Sequence, residues 1–210
     1  MNVQQAYNSW AAIYDSNINR TRDLEAIALR EILSVTSFES CLEIGCGTGK
    51  NTEWLAGKTK RLLCIDLSEA MLAKAKEKIH APHAGFIQAD INKAWDFTHD
   101  TFQLATFSLV LEHIENLDAV FEKLSQKIES GGHVYIGELH PFKQYAGTKA
   151  RFETEGGTQV VTCFNHHISD FIQPALRHGF LVKNIHEYFD EDDRNGIPRI
   201  LTILLQKNNS

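Results

Sequence analysis

The feature that most constrains this chain is a short apolar run, Ser40 to Ile44, ending in glycines at 45, 47 and 49. The stretch that follows, Asn51 to Leu55, reads as the start of a helix. A strand feeding a glycine loop and then a helix builds a nucleotide-type site, because small residues let backbone N–H groups approach a ligand and the helix N-terminus offers unpaired donors. The dinucleotide spacing G-x-G-x-x-G fails in both registers, since Lys50 stands where the first needs glycine and Thr52 where the second does. A Walker phosphate loop fails as well, because Lys50 is followed by Asn51.

The rest of the chain alternates short β-branched runs with longer amphipathic ones, the pattern of an α/β sheet. Strands are expected at Arg61–Asp66, Gly85–Asp90, Phe102–Leu109 and His133–Glu138. Helices are expected from about Asp23 with Thr21 as cap, at Glu69–Ile79 behind Ser68, and at Leu117–Ile128 before Gly131 and Gly132. Beyond residue 143 the pattern changes. A hairpin is expected around Gly156 and Gly157, then a helix over Ser169–Arg177. Two strands, Phe180–Phe189 and Ile200–Gln206, are joined by the acidic loop from Asp190 and should pair antiparallel.

Composition narrows the function classes. Among 210 residues there are 21 Lys and Arg against 27 Asp and Glu, a net charge of −6, so no basic stripe advertises nucleic-acid binding. No apolar stretch approaches the roughly 20 residues of a membrane helix, and Met1 to Trp10 lacks the cationic start of a secretory signal. The four cysteines, 41, 46, 64 and 163, have no C-x-x-C spacing; a cytoplasmic setting and no metal centre are expected.

The order Glu43-x-Gly45-x-Gly47-x-Gly49, then Asp66, then Asp90, then Leu111-Glu112-His113, then Ser130-Gly131-Gly132 resembles the class I S-adenosylmethionine-dependent methyltransferases, in particular the small-molecule branch that includes quinone-biosynthesis enzymes. The resemblance implies one domain over 1–210. Its Rossmann-like sheet would have seven mostly parallel strands in order 3-2-1-4-5-7-6, the seventh antiparallel, with helices on both faces. It implies S-adenosylmethionine held by Glu43, Gly45, Cys46, Gly47 and Gly49, with Asp66 on the ribose and Leu67 on the adenine. Asp90 and Ile91 would sit at the adenine edge, and Ser108 and His113 beneath the methionine end. Met71 is assigned to the cofactor side, although core packing on the apolar face of its helix is the default reading. A carboxylate at Glu43 suits a ligand carrying an ammonium and a sulfonium.

The substrate side is less determined. Residues 1–35, with Tyr7, Trp10 and Tyr14, resemble a lid, and 143–167 a segment covering the acceptor. Tyr14 is expected to line the site. His140, His166 and His167 are candidates for removing an acceptor proton, His140 also for touching substrate, against the plainer reading of exposed or turn-forming histidines. Arg20, Arg22, Lys143, Lys149 and Arg151 are candidate anion contacts. The expected reaction is methyl transfer to a small molecule by a monomer or homodimer. The rival readings are an RNA or protein methyltransferase, a nicotinamide-dependent oxidoreductase and a non-catalytic cofactor-binding module.

Overall fold

The computed structural model describes residues 2–154 and 157–209. Among the described residues there are nine strands: β1 Ser40–Ile44, β2 Arg61–Asp66, β3 Ala84–Gln88, β4 Phe102–Ser108, β5 Ile128–Leu139, β6 Arg151–Thr154, β7 Gly157–Val160, β8 Phe180–Tyr188 and β9 Ile200–Lys207. Seven of them form one sheet in the order β3-β2-β1-β4-β5-β9-β8, while β6 and β7 form a separate hairpin. Strands β1 to β5 pair parallel; β9 pairs antiparallel to β5, and β8 antiparallel to β9. With β8 and β9 as sixth and seventh strands of the sheet, this is the expected order.

Helices α1 Val3–Trp10, α2 Arg20–Ser34, α3 Thr52–Ala56, α4 Glu69–Lys78, α5 Leu117–Ser125, α6 Pro141–Tyr145 and α7 Ile168–Arg177 surround the sheet. All five residues of β1 are buried, as a central parallel strand covered on both faces requires. Its side chains alternate between two cores. Leu42 and Ile44 join Ala105, Phe107, Val134 and Ile136 beneath α5 and α7, through Val120, Phe121, Leu124, Phe171 and Ala175. Cys41 joins Leu62, Cys64, Leu104 and Tyr135 beneath α2, α3 and α4, through Leu29, Leu33, Leu55 and Leu72.

Several expected boundaries shift for local reasons. Asn19, not Thr21, caps α2: its side chain accepts from the N–H groups of Thr21 and Arg22, so the helix begins at Arg20. Strand β3 ends at Gln88, which leaves Asp90 beyond the strand. Helix α5 stops at Ser125, and Ile128 opens β5 by pairing with Phe102; Gly131 and Gly132 lie in an irregularity within that strand, between the Phe102–Ile128 and Leu104–His133 pairs. Ser68 caps α4 as expected, accepting from the Met71 N–H. The turn of the expected 156–157 hairpin falls partly on residues outside those described, but β6 and β7 pair from Arg151–Val160 to Thr154–Gly157.

Candidate functional site

At the C-terminal ends of β1, β2 and β4 the chain leaves a cavity of about 690 Å³ with its mouth included. Parallel α/β sheets bind ligands outside this edge. Gly45, Gly47, Asp66, Leu67, Met71, Asp90, Ile91, Ser108, His113 and Tyr14 all line it. An adjoining hollow shares Tyr14, Ile44, Gly45, Gly47, Ser108 and Leu109 with it and adds Glu43, Cys46, Arg22, Glu25 and Asn51. Gly49 lines neither.

The floor is the β1–α3 loop. The N–H groups of Gly45 and Cys46 both donate to the Ile65 carbonyl, at 2.8 and 3.0 Å. The Asp66 carboxylate accepts from the Gly47 N–H on one oxygen and the Ser68 N–H on the other, each at 2.8 Å. Each oxygen keeps a further lone pair, so the group both ties the loop to β2 and can accept two hydroxyls. Burial raises the Asp66 carboxyl above its ordinary value, against the backbone N–H groups that lower it.

Behind the loop lie three buried acids. Glu43 accepts from the Thr52 hydroxyl at 2.6 Å, and burial pushes it up to about 7. Glu25, on α2, accepts from Asn51 Nδ2 at 2.9 Å and the Tyr135 hydroxyl at 3.1 Å, and burial likewise pushes it up to about 7. Glu138, at the end of β5, accepts the N–H groups of Val110 and Leu111 at 2.9 and 2.7 Å through one oxygen; burial pushes it up to about 8. It thereby fixes the turn after β4, where Leu109 adopts a left-handed φ of 58°. A bulky residue there stores backbone strain, a frequent feature of functional sites. Sequence spacing pointed to Glu43 but not to Glu25 or Glu138, which arrive from distant helix and strand ends; an acid within an apolar helical stripe is the only signal Glu25 gives.

Helix α1 roofs the cavity. Eight residues do not hold a helix alone in water, so tertiary contacts maintain it. Ala6 and Trp10 pack with Met71 and Val161. Asn8 accepts from the Ser68 hydroxyl at 2.6 Å, and Gln4 donates to the Leu67 carbonyl at 3.2 Å. Beyond the helix, the Thr48 hydroxyl donates to Asp15 at 2.6 Å. Arg22 lies 4.0 Å from the Tyr14 ring and donates to the Tyr14 and Asn17 carbonyls, while its Nε is buried with no protein acceptor among the described residues. The Tyr7 hydroxyl lies 2.8 Å from His113 Nε2, and His113 Nδ1 lies 2.8 Å from the Thr162 carbonyl.

The other expected histidines gather around α6 and do not line the cavity. His140 is wholly buried; its Nδ1 accepts the Phe142 N–H as helix cap, its Nε2 lies 2.9 Å from Glu187, and burial lowers its pKa. His166 Nε2 meets the Ile114 carbonyl at 2.8 Å, and the residue lines a separate groove between α5 and α7 with Asp118 and Arg177. His167 Nδ1 lies 2.5 Å from the Tyr145 hydroxyl at the exposed start of α7. Among the described side chains of the candidate cations, Arg22 borders the site. Lys143 faces Asp190 at 3.7 Å, Arg20 faces Glu191 at 3.9 Å, and the Arg151 side chain lies outside those described. Glu112, His113 and Cys163 place possible ligand atoms within 4.8 Å of one another, a grouping that sequence spacing does not reveal.

Fold and cavity together are those of an open α/β sheet with a ligand-sized hollow at the C-terminal edge of its parallel strands. Residues 42–136 match the family model described as a methyltransferase domain. An uncharacterized methyltransferase of Emericella nidulans is 25% identical over 84% of this chain and 74% of its own length. A ubiquinone biosynthesis O-methyltransferase of Azoarcus is 29% identical over 64% of this chain, which spans 58% of that relative. The crystal structure of the N-methyltransferase NodS from Bradyrhizobium japonicum in complex with S-adenosyl-L-homocysteine superposes with a TM-score of 0.73 at 20% identity, covering 99% of both chains. Residues 42–136 are thus similar to methyltransferase domains, and the fold is that of the solved N-methyltransferase. Among the described residues no helix is long and apolar enough to cross a membrane.

Proposed function

We propose that this protein transfers a methyl group from S-adenosylmethionine to a protic small-molecule acceptor. The observation that carries the reading is Asp66: a half-buried carboxylate at the end of β2, held by two backbone N–H groups and facing the cavity at the sheet's C-terminal edge. In this reading Asp66 accepts the ribose hydroxyls, Leu67, Asp90 and Ile91 enclose the adenine, and Gly45, Gly47 and Ser108 lie along the methionine end. Arg22, with its unmatched Nε, meets the methionine carboxylate, and Glu43, Glu25 and Asn51 lie on the ammonium side. When bound, the cofactor supplies a methyl group already activated by its sulfonium. The protein's work is then alignment and exclusion of water, which falls to α1 and the 143–167 segment, tied to the turn after β4 by the Phe164 N–H on the Glu112 carbonyl at 2.7 Å.

The acceptor end is walled by Val3, Tyr7, Tyr14, Val110 and Ile114, with Asp66 and Asp90 as the acids of the lining, which suits a neutral or cationic acceptor with an apolar body. The resemblance to quinone-biosynthesis enzymes and to an N-methyltransferase fits a hydroxyl or amine acceptor. Four unpaired cysteines fit a cytoplasmic setting. Labelled methyl transfer to a panel of phenols and amines, run beside RNA and protein substrates, tests this. Labelling of RNA or protein alone would overturn the small-molecule reading.

A pH dependence follows. Burial pushes Glu43 and Glu25 up to about 7, and a cationic ligand favours their ionised forms. Binding therefore releases protons below that pH. Affinity for S-adenosylmethionine should rise with pH up to about 7 and then level, by up to roughly tenfold per unit for one group. The affinity for S-adenosylhomocysteine, which lacks the sulfonium, should rise less. Calorimetry across this range checks the sign: affinity falling with pH would place the ligand's charge elsewhere.

A further inference from the structure

Resting on that reading, we propose that Tyr7 and His113 are the proton relay of the methyl transfer: the Tyr7 hydroxyl takes the acceptor's proton and passes its own to Nε2 of His113. Hydrogen-bond directions support it. A carbonyl only accepts, so the 2.8 Å contact to Thr162 fixes the His113 proton on Nδ1. Nε2 of the neutral ring is then an acceptor, and the Tyr7 hydroxyl at 2.8 Å is its donor. The phenol oxygen keeps lone pairs, and both side chains line the cavity. Burial raises the Tyr7 phenol well above its ordinary value, so it stays a neutral donor.

The groups facing this pair suit a ring that becomes cationic. Glu112 lies 3.9 Å from Nε2, buried, with one oxygen unmatched among the described residues. Asp66 from β2 adds a second carboxyl whose interaction with His113 is attractive. Cys163 lies 3.8 Å from Nδ1, and the Tyr14 ring packs tilted against Tyr7 with centroids 6.3 Å apart; both are neutral, since burial raises their pKa values to about 12. No lysine or arginine is among the groups in contact with the pair that the hydrogen bonds, ion pairs and ring contacts define.

The step balances. The acceptor's lone pair forms the new bond to the methyl carbon as the carbon–sulfur bond breaks, and that electron pair stays on sulfur as a neutral thioether. The acceptor's proton moves to the Tyr7 oxygen, the Tyr7 proton moves to Nε2, and the imidazolium later returns one to solvent. Tyr7 is the catalytic residue; His113 acts through it.

The test has two arms. Nitrogen NMR on histidine-labelled protein, free and with S-adenosylhomocysteine, should find the His113 proton on Nδ1, with Tyr7→Phe shifting the Nε2 resonance and leaving Nδ1 in place. A proton on Nε2 in the neutral ring overturns the relay, whether or not the cofactor product binds. In the second arm phenol, protonated near neutral pH, is compared with thiophenol, which is largely ionised there and needs no base. Tyr7→Phe and His113→Gln should each slow phenol methylation about 100-fold and thiophenol methylation by no more than a few-fold. Equal losses on both acceptors would make the pair structural and sink the proposal. Failure of S-adenosylhomocysteine to bind would fall on the cofactor reading instead, since the NMR arm reads the free protein too.

Discussion

Replacing Asp66 by alanine is expected to weaken S-adenosylmethionine binding about 100-fold. A half-buried carboxylate accepting two hydroxyls makes charge-assisted hydrogen bonds worth roughly 1.5–3 kcal/mol each. Water entering the space recovers part of that, leaving about 3 kcal/mol, or roughly two decades in Kd. The substitution also frees the Gly47 and Ser68 N–H groups that the carboxylate now holds, so the loop loosens as well. S-adenosylhomocysteine should lose about as much, because both ligands carry the same ribose. Calorimetric titration of the folded variant measures it. Unchanged affinity would mean that the ligand lies elsewhere in the cavity.

The second large effect is on the fold of the loop itself. Gly45 has a φ of +74°, and a Cβ added there would stand 2.2 Å from Val110 Cγ2. Gly45→Ala combines left-handed strain of about 1–2 kcal/mol with an overpacking cost of about 1–3 kcal/mol. For a chain of this size that lowers Tm by roughly 10 °C. Gly47 supplies the control. Its φ is +54°, but nothing lies within 4 Å of an added Cβ, so Gly47→Ala should bear the strain alone and lose only about 3–5 °C. Thermal unfolding of the two variants separates the terms. Equal losses would show that the Val110 contact relaxes freely.

The sheet was legible because its information is local. Alternating apolar runs mark β1, β2, β4 and β5, and an acidic turn between two apolar runs marks the β8–β9 pair. The glycine loop and Asp66 were legible because they occupy strand ends, where α/β sheets bind ligands. What stayed hidden depends on distant partners. Glu25 reads only as an acid within the apolar stripe of α2 until Asn51 and Tyr135 close over it. Tyr7 reads as lid packing until the strained turn at Leu109 and the 161–164 segment carry His113 beneath it. His140 looked available because it follows β5; the hydrogen bonds to Phe142 and Glu187 that occupy both its nitrogens come from a helix start and an edge strand that sequence does not place beside it. The boundary errors have the same origin. Asn19 captures the start of α2 from Thr21 by accepting two N–H groups, and pairing with Phe102 draws Ile128 out of a helical pattern into β5.

Calorimetric titration of the purified protein with S-adenosylmethionine and S-adenosylhomocysteine, with NADH as control, tests the central claim most directly. Binding of the first two in the micromolar range, with none of NADH, is the expected result. A folded protein that binds neither, or that binds NADH instead, would contradict the assignment of this cavity.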